Sequence, residues 1–200
     1  MQNKYKREQA KKLEQVKKLF NEGWEAYNAG DTNTAERKWQ ECLDAVKDTD
    51  SDALREQKYK SLVNLGFLYK QKDDIDTAIA KWQEVVDAVK DTDGDALREA
   101  KYKSLVSLGL LYEQKGDTAT AIEKWQEIVR IVKDTDGDAL LEIKQRSLLN
   151  LYMLRSEKDN SHNVQEDKET SMAVINSYVE NGTGNKLLFW EALKLSLIHI

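Results

Sequence analysis

Apolar residues recur along one helical face through most of this 200-residue chain. From Ile75 to Val89 the positions Ile75, Ala78, Ile79, Trp82, Val85, Val86 and Val89 follow i, i+3, i+4, i+7 spacing, with charged side chains between them. That spacing predicts an amphipathic helix of about four turns. Ahead of it DALREQKYKSLVNLGFLYKQ predicts another helix, joined to the first by the short turn KDD. The same order returns with KGD in the following copy and AGD in the preceding one, so each unit is expected to be a helical hairpin. The stretches between hairpins, KDTDSD and KDTDGD, are read as too polar to pack, and they set carboxylates at the start of the next helix, where its dipole favours negative charge.

A glycine and a tryptophan recur together every 43 residues, as Gly23 with Trp39, Gly66 with Trp82 and Gly109 with Trp125. The strings KWQECLDAVKDTDSDALREQKYKSL, KWQEVVDAVKDTDGDALREAKYKSL and KWQEIVRIVKDTDGDALLEIKQRSL make the duplication plain. A fixed period of this size marks a stacked array, not a one-core globule. The chain contains no proline, the strongest helix breaker. The expected fold is all-α, a right-handed α-solenoid of tandem helical hairpins with a 43-residue period, whose default use is to hold another macromolecule on a long concave surface.

The unit resembles the tetratricopeptide repeat. Leucine and glycine followed by tyrosine in a first helix, then alanine followed by a large aromatic in a second, are Leu65, Gly66, Tyr69, Ala78 and Trp82, and again Leu108, Gly109, Tyr112, Ala121 and Trp125. The first copy has Gly23, Tyr27, Gly30, Asp31, Ala35 and Trp39, its tyrosine one place later. Glycine and alanine suit close helix approach, and the large ring fills the space between neighbouring hairpins. Two features depart from the family. Lys47, Lys90 and Lys133 stand where it usually has proline, and the period exceeds its common length of about 34. Shared between two helices, the additional residues lengthen each by about one turn. Such long repeats are similar to those of kinesin light chains and of bacterial peptide-sensing regulators.

The fourth copy decays. Ser147, Leu148, Asn150 and Leu151 keep the frame, Tyr152 replaces the glycine, and SEKDNSHNVQEDKE reads as a polar insertion. A displaced second helix is expected from Asp167 through Met172, Val174, Ile175 and Tyr178, and KLLFWEALKL after NGTGN as a fifth first helix. Residues 1–157 are thus three hairpins plus the first helix of a fourth, and residues 158–194 a degenerate fourth hairpin with the start of a fifth. Residues 195–200, LSLIHI, read as a translated sequencing adaptor, so the natural chain is expected to continue past Lys194.

First-helix residues fall into columns at fixed offsets from the repeat glycine. Six places before it stand Lys17, Lys60, Lys103 and Arg146; two before it, Asn21, Asn64, Ser107 and Asn150, which donate and accept hydrogen bonds. Three before it are Phe20, Val63, Val106 and Leu149, and one after it Trp24, Phe67, Leu110 and Met153. The columns together are expected to offer the concave groove apolar anchors, a polar ladder and a line of positive charge. The resemblance implies that the asparagines grip a bound peptide backbone and the basic column steers acidic groups, although duplication alone also generates regular columns. Trp39, Trp82 and Trp125 are expected to be structural. Where the chaperone-binding branch of the family clamps a terminal carboxylate with lysine and asparagine, this chain has Phe20 and Trp24, so that clamp is not reproduced.

Charge and composition narrow the classes. With 31 basic against 36 acidic residues the net charge is −5, which disfavours nucleic acid as a partner, although Met1 to Phe20 carries seven basic residues against Glu8 and Glu14. That helix is read as a solvated end cap. No apolar run has the length of a membrane helix, and the chain start lacks a signal-peptide core, so a cytoplasmic setting is expected. The lone Cys42, among Trp39, Leu43 and Val46, reads as core packing. Asp91, Asp93 and Asp95, with Asp134, Asp136 and Asp138 one period later, fail the EF-hand pattern. Ala96 and Ala139 stand where it needs glycine, and Tyr102 and Gln145 where it needs glutamate. His162 and His199 lie far from Cys42, and no phosphate loop or metal spacing appears, so neither enzyme activity nor a metal or cofactor is expected.

The expected function is a scaffold or adaptor that binds a peptide in its groove, the ligand being acidic with apolar anchors. Two alternatives stay open: the regulatory or sensing part of a longer enzyme or signalling protein, and self-association through Leu187, Leu188, Phe189 and Trp190.

Overall fold

The computed structural model describes residues 2–47, 51–133 and 137–158. Among them the chain forms seven helices and no strand: α1 Gln2–Asn28, α2 Thr32–Ala45, α3 Asp52–Gln71, α4 Ile75–Ala88, α5 Asp95–Gln114, α6 Thr118–Ile131 and α7 Asp138–Lys158. Neighbouring helices pack in consecutive pairs, α1 on α2 and α3 on α4 within hairpins, α2 on α3 and α6 on α7 between them, as in a solenoid of helical hairpins. Contacts divide the chain into two compact units, Met1–Leu108 and Gly109–Ile200. The displaced helix expected from Asp167, the segment KLLFWEALKL with its self-association residues, LSLIHI, both histidines, Asp134 and Asp136 lie outside the described residues.

The period is not shared evenly between the two helices. The second helices α2, α4 and α6 have 14 residues each, the four turns their pattern predicts, whereas α3 and α5 have 20. Leu54 and Leu97, the third residues of α3 and α5, are buried, so the first turn of each is fastened to apolar neighbours as soon as it leaves the linker.

The turn inside each hairpin is the same device three times. Gly30, Asp73 and Gly116 adopt the left-handed conformation, with φ of 81°, 63° and 74°. The next residue sends its N–H back five places, Asp31 to Ala26, Asp74 to Tyr69 and Asp117 to Tyr112, closing the first helix. The carboxylates of those same residues then accept from the backbone N–H of Thr34, Thr77 and Thr120, capping the second helix. One aspartate therefore ends one helix and begins another. The Thr34 N–H holds the Asp31 carboxyl below the ordinary range, and the Thr120 hydroxyl, which donates to Asp117 at 2.8 Å, does the same for Asp117 with the Thr120 N–H beside it.

In the unit 1–108 three buried clusters follow one another. Val16, Cys42, Val46 and Leu54 form the first, Ala35, Trp39, Leu65 and Leu68 the second, and Tyr59, Leu62, Val63, Val85, Val89, Leu97 and Ala100 the third. Each draws on two hairpins, so burial propagates from one repeat to the next. In the unit 109–200 Ala121, Trp125, Ile128, Ile131, Leu148, Leu151 and Tyr152 are buried.

The polar linker between α4 and α5 does pack, contrary to its composition. Asp93 accepts both arms of the Arg55 guanidinium, at 3.3 and 2.8 Å, and the Lys90 N–H at 2.9 Å. Arg55 holds its carboxyl below the ordinary range. Lys101 donates to Asp91 at 2.9 Å. These aspartates are tied to side chains on the neighbouring helices and are not held for helix capping; the pairing partners sit 38 and 10 residues away, beyond the reach of a local pattern.

Candidate functional site

The repeat glycine determines which way the first helix faces. A Cβ on Gly23 would stand 2.6 Å from Trp39 Nε1, one on Gly66 2.3 Å from Trp82 Nε1, and one on Gly109 2.7 Å from Trp125 Cε2, so only glycine lets each indole lie against the helix of its own hairpin. The recurrence of glycine with tryptophan is this contact. All three rings are buried. Trp39 and Trp82 donate to the carbonyls of Phe20 and Val63 at 3.2 Å, and Trp125 to the Glu113 carboxylate at 2.6 Å. Trp39 also joins Leu65 and Leu68 of the next hairpin, so the ring serves the space between hairpins as well.

With the glycine pressed inward, the residue after it is rotated by about 100° from the seam. That position holds Trp24, Phe67, Leu110 and Met153, exposed by 48, 43, 47 and 46%. Among the described residues these are the large apolar side chains left in solvent, and all four occupy one register. Two are braced from beneath: Trp24 stacks on Tyr27 at 5.9 Å and 23°, and Phe67 meets Trp82 edge-on at 5.3 Å. The column three before the glycine behaves differently, since Val63 is buried and Phe20 packs within the core.

Of the polar column, Asn21 is exposed and Asn64 and Asn150 are half-buried. Ser107 is buried, and its hydroxyl donates to the Lys103 carbonyl of its own helix at 2.9 Å, a local bond that serine readily makes within helices. Of the basic column, Lys17, Lys103 and Arg146 are exposed and Lys60 is half-buried. Lys60 pairs with Glu56, and Lys103 with Glu99 at 2.7 Å. The sequence signal for both pairs is local, a glutamate four residues before each lysine on the same helical face.

The other candidate chemistries find no support in the geometry. Cys42 is buried, with its thiol 3.4 Å from the Val16 carbonyl, and desolvation pushes its pKa up to about 11, so it is protonated at neutral pH and serves packing. Among the described residues no cluster of three or more His, Cys, Asp or Glu could hold a metal ion. No described helix is long and apolar enough to cross a membrane.

An all-helical chain of duplicated hairpins with buried glycine–tryptophan seams and one exposed register defines the class of helical-repeat proteins. The model of the tetratricopeptide repeat matches residues 103–135, which cover the end of α5, its turn, α6 and the linker beyond, and the match supports a tetratricopeptide repeat family and with it a protein–protein interaction module. No curated protein matches the chain.

Proposed function

We propose that this protein is a non-enzymatic cytoplasmic scaffold or adaptor that holds a peptide segment of another protein on the exposed register of its first helices. The observation that carries the reading is the shared register of the exposed apolar residues. Duplicated sequence would place some residue at each such position, but it does not require a bulky apolar one in solvent four times over, where burial is favourable and exposure invites non-specific association. In the unit 1–108, α1 packs directly on α3, so Trp24 and Phe67 stand on adjoining helices, each followed back along its helix by an asparagine. Covering the exposed half of each anchor contributes about 1 kcal/mol. Two anchors alone give affinity weaker than millimolar, so amide hydrogen bonds from Asn21 and Asn64 to the ligand backbone belong to the same mechanism.

The test is selection of a phage-displayed random peptide library on the whole chain, beside a Trp24→Ala, Phe67→Ala variant and an Asn64→Ala variant, with helicity checked by circular dichroism. Enrichment that the folded anchor variant loses supports the reading. Equal enrichment on the anchor variant, or none on the wild type, sinks it.

A further inference from the structure

The charge surrounding the exposed register narrows the class of partner, and this step rests on the peptide-binding reading above. Six residues before the repeat glycine stand cations, which by themselves would draw acidic ligands. In the unit 1–108 the two that follow Lys17 are answered within their own helices. The Lys60 ammonium pairs with Glu56 on α3, and the Lys103 ammonium lies 2.7 Å from the Glu99 carboxylate on α5. All four side chains keep solvent exposure, at 44 and 30% in the first pair and 55 and 53% in the second, so the glutamates stand on the surface beside the lysines. An approaching carboxylate meets a negative charge together with each positive one, and a pair of opposite charges this close presents no net field at distances beyond a Debye length of about 10 Å. The anchors themselves, Trp24 and Phe67, carry no charge.

We infer that Glu56 and Glu99 deny this surface to acidic peptides, so that its partner is a protein segment of near-zero net charge recognised by bulky apolar side chains. Complementarity then lies in shape and apolar area, and the lysine–glutamate pairs act by exclusion, which is how surfaces gain specificity without added affinity. Association with such a partner lacks electrostatic steering and is insensitive to salt.

The experiment repeats the random-peptide selection on the whole chain and on a Glu56→Gln, Glu99→Gln variant, which keeps side-chain length and helix propensity. Peptides taken by the wild type should be apolar and near neutral. The Kd of the best of them, synthesised with a fluorescent label, should change less than about twofold as salt rises from about 0.01 to about 1 M, while the Debye length shrinks from about 30 to about 3 Å. The variant should enrich acidic peptides. An acidic consensus on the wild type, or a Kd that weakens about tenfold or more over that salt range, overturns the inference while leaving peptide binding in place. A variant whose peptides stay as neutral as those of the wild type overturns the role given to the two glutamates. A failure of the wild type to enrich any peptide removes the peptide-binding reading and this inference with it.

Discussion

In the second hairpin the five-membered edge of Trp82 lies on Gly66 and its N–H reaches the Val63 carbonyl; in the third, the six-membered edge of Trp125 lies on Gly109 and its N–H reaches Glu113. The two surroundings are close copies in sequence. Four residues after the glycine, however, the second copy has Lys70 and the third has Glu113. Lysine offers no acceptor, so the indole of the second copy turns to a backbone oxygen, whereas glutamate offers a charged one that makes a shorter bond. The contact of ring with glycine is common to both hairpins, and the hydrogen bond adapts to the neighbouring residue. Packing thus sets the fold of the repeat, and polar satisfaction follows it.

The comparison is broken most severely by removing either ring. Trp82→Ala and Trp125→Ala should each cost about 3 to 5 kcal/mol, read from urea unfolding followed by circular dichroism, because a cavity opens against a glycine surface that has no side chain to fill it. A loss under about 1 kcal/mol in either variant would show that the seam does not hold the hairpin. Adding a methyl group to the glycine side is the next largest change. Gly66→Ala should cost about 3 kcal/mol and Gly109→Ala less, since the added Cβ would stand 2.3 Å from Trp82 but 2.7 Å from Trp125. Pairing Gly66→Ala with Trp82→Phe, whose smaller ring makes room, should cost less than the two single changes together by about 1 kcal/mol, and strict additivity would mean that the two residues do not meet.

How far the sequence foretold this molecule depends on how far apart the interacting residues lie. The hairpin pattern, its turns and the glycine–tryptophan recurrence are visible because duplication repeats each at a fixed offset, and Trp24, Phe67, Leu110 and Met153 stand out as a column for the same reason. Read from sequence, the apolar columns on both sides of the glycine face the groove alike. Val63 and Phe67 are both apolar and four residues apart, yet one is inside and the other outside, and only the position of the glycine seam separates them. The Arg55 to Asp93 clamp joins neighbouring hairpins, so a linker that looked merely solvated proves to be fastened. Ser107 matched its column by residue type, but a hydroxyl has a local option, the carbonyl one turn back, that an asparagine of the ladder does not take here. The glutamates at 56 and 99 are legible at i, i+4 spacing, but a column taken across repeats isolates each lysine from the partner one turn back along its own helix.

Glu113 sharpens the contrast between the hairpins. Glu113→Ala leaves the Trp125 N–H without its carboxylate and should cost about 2 kcal/mol, the range for a hydrogen bond to a charged group, while Lys70→Ala at the equivalent exposed place should stay within about 0.5 kcal/mol. Equal effects of the two changes would mean that the acceptor does not distinguish the copies.

The smallest effect separates the same hairpins at their turns. Both outer copies place glycine in the left-handed position, at Gly30 and Gly116, but the second places Asp73 there with φ of 63°. A residue with a Cβ pays about 1 to 2 kcal/mol in that region, somewhat less for aspartate. Glycine would relieve this strain at the cost of a more flexible unfolded chain, about 0.4 to 1 kcal/mol. Asp73→Gly should therefore stabilise the protein by about 0.5 kcal/mol, detectable as a higher urea midpoint with an unchanged slope. Asp73 is exposed, and the cap of α4 depends on Asp74, so the substitution removes no contact that would mask the gain. The reverse change, Gly116→Asp, imports the strain into the third hairpin and should lower the midpoint by a similar step. If both variants move the midpoint the same way, backbone strain is not what distinguishes these turns.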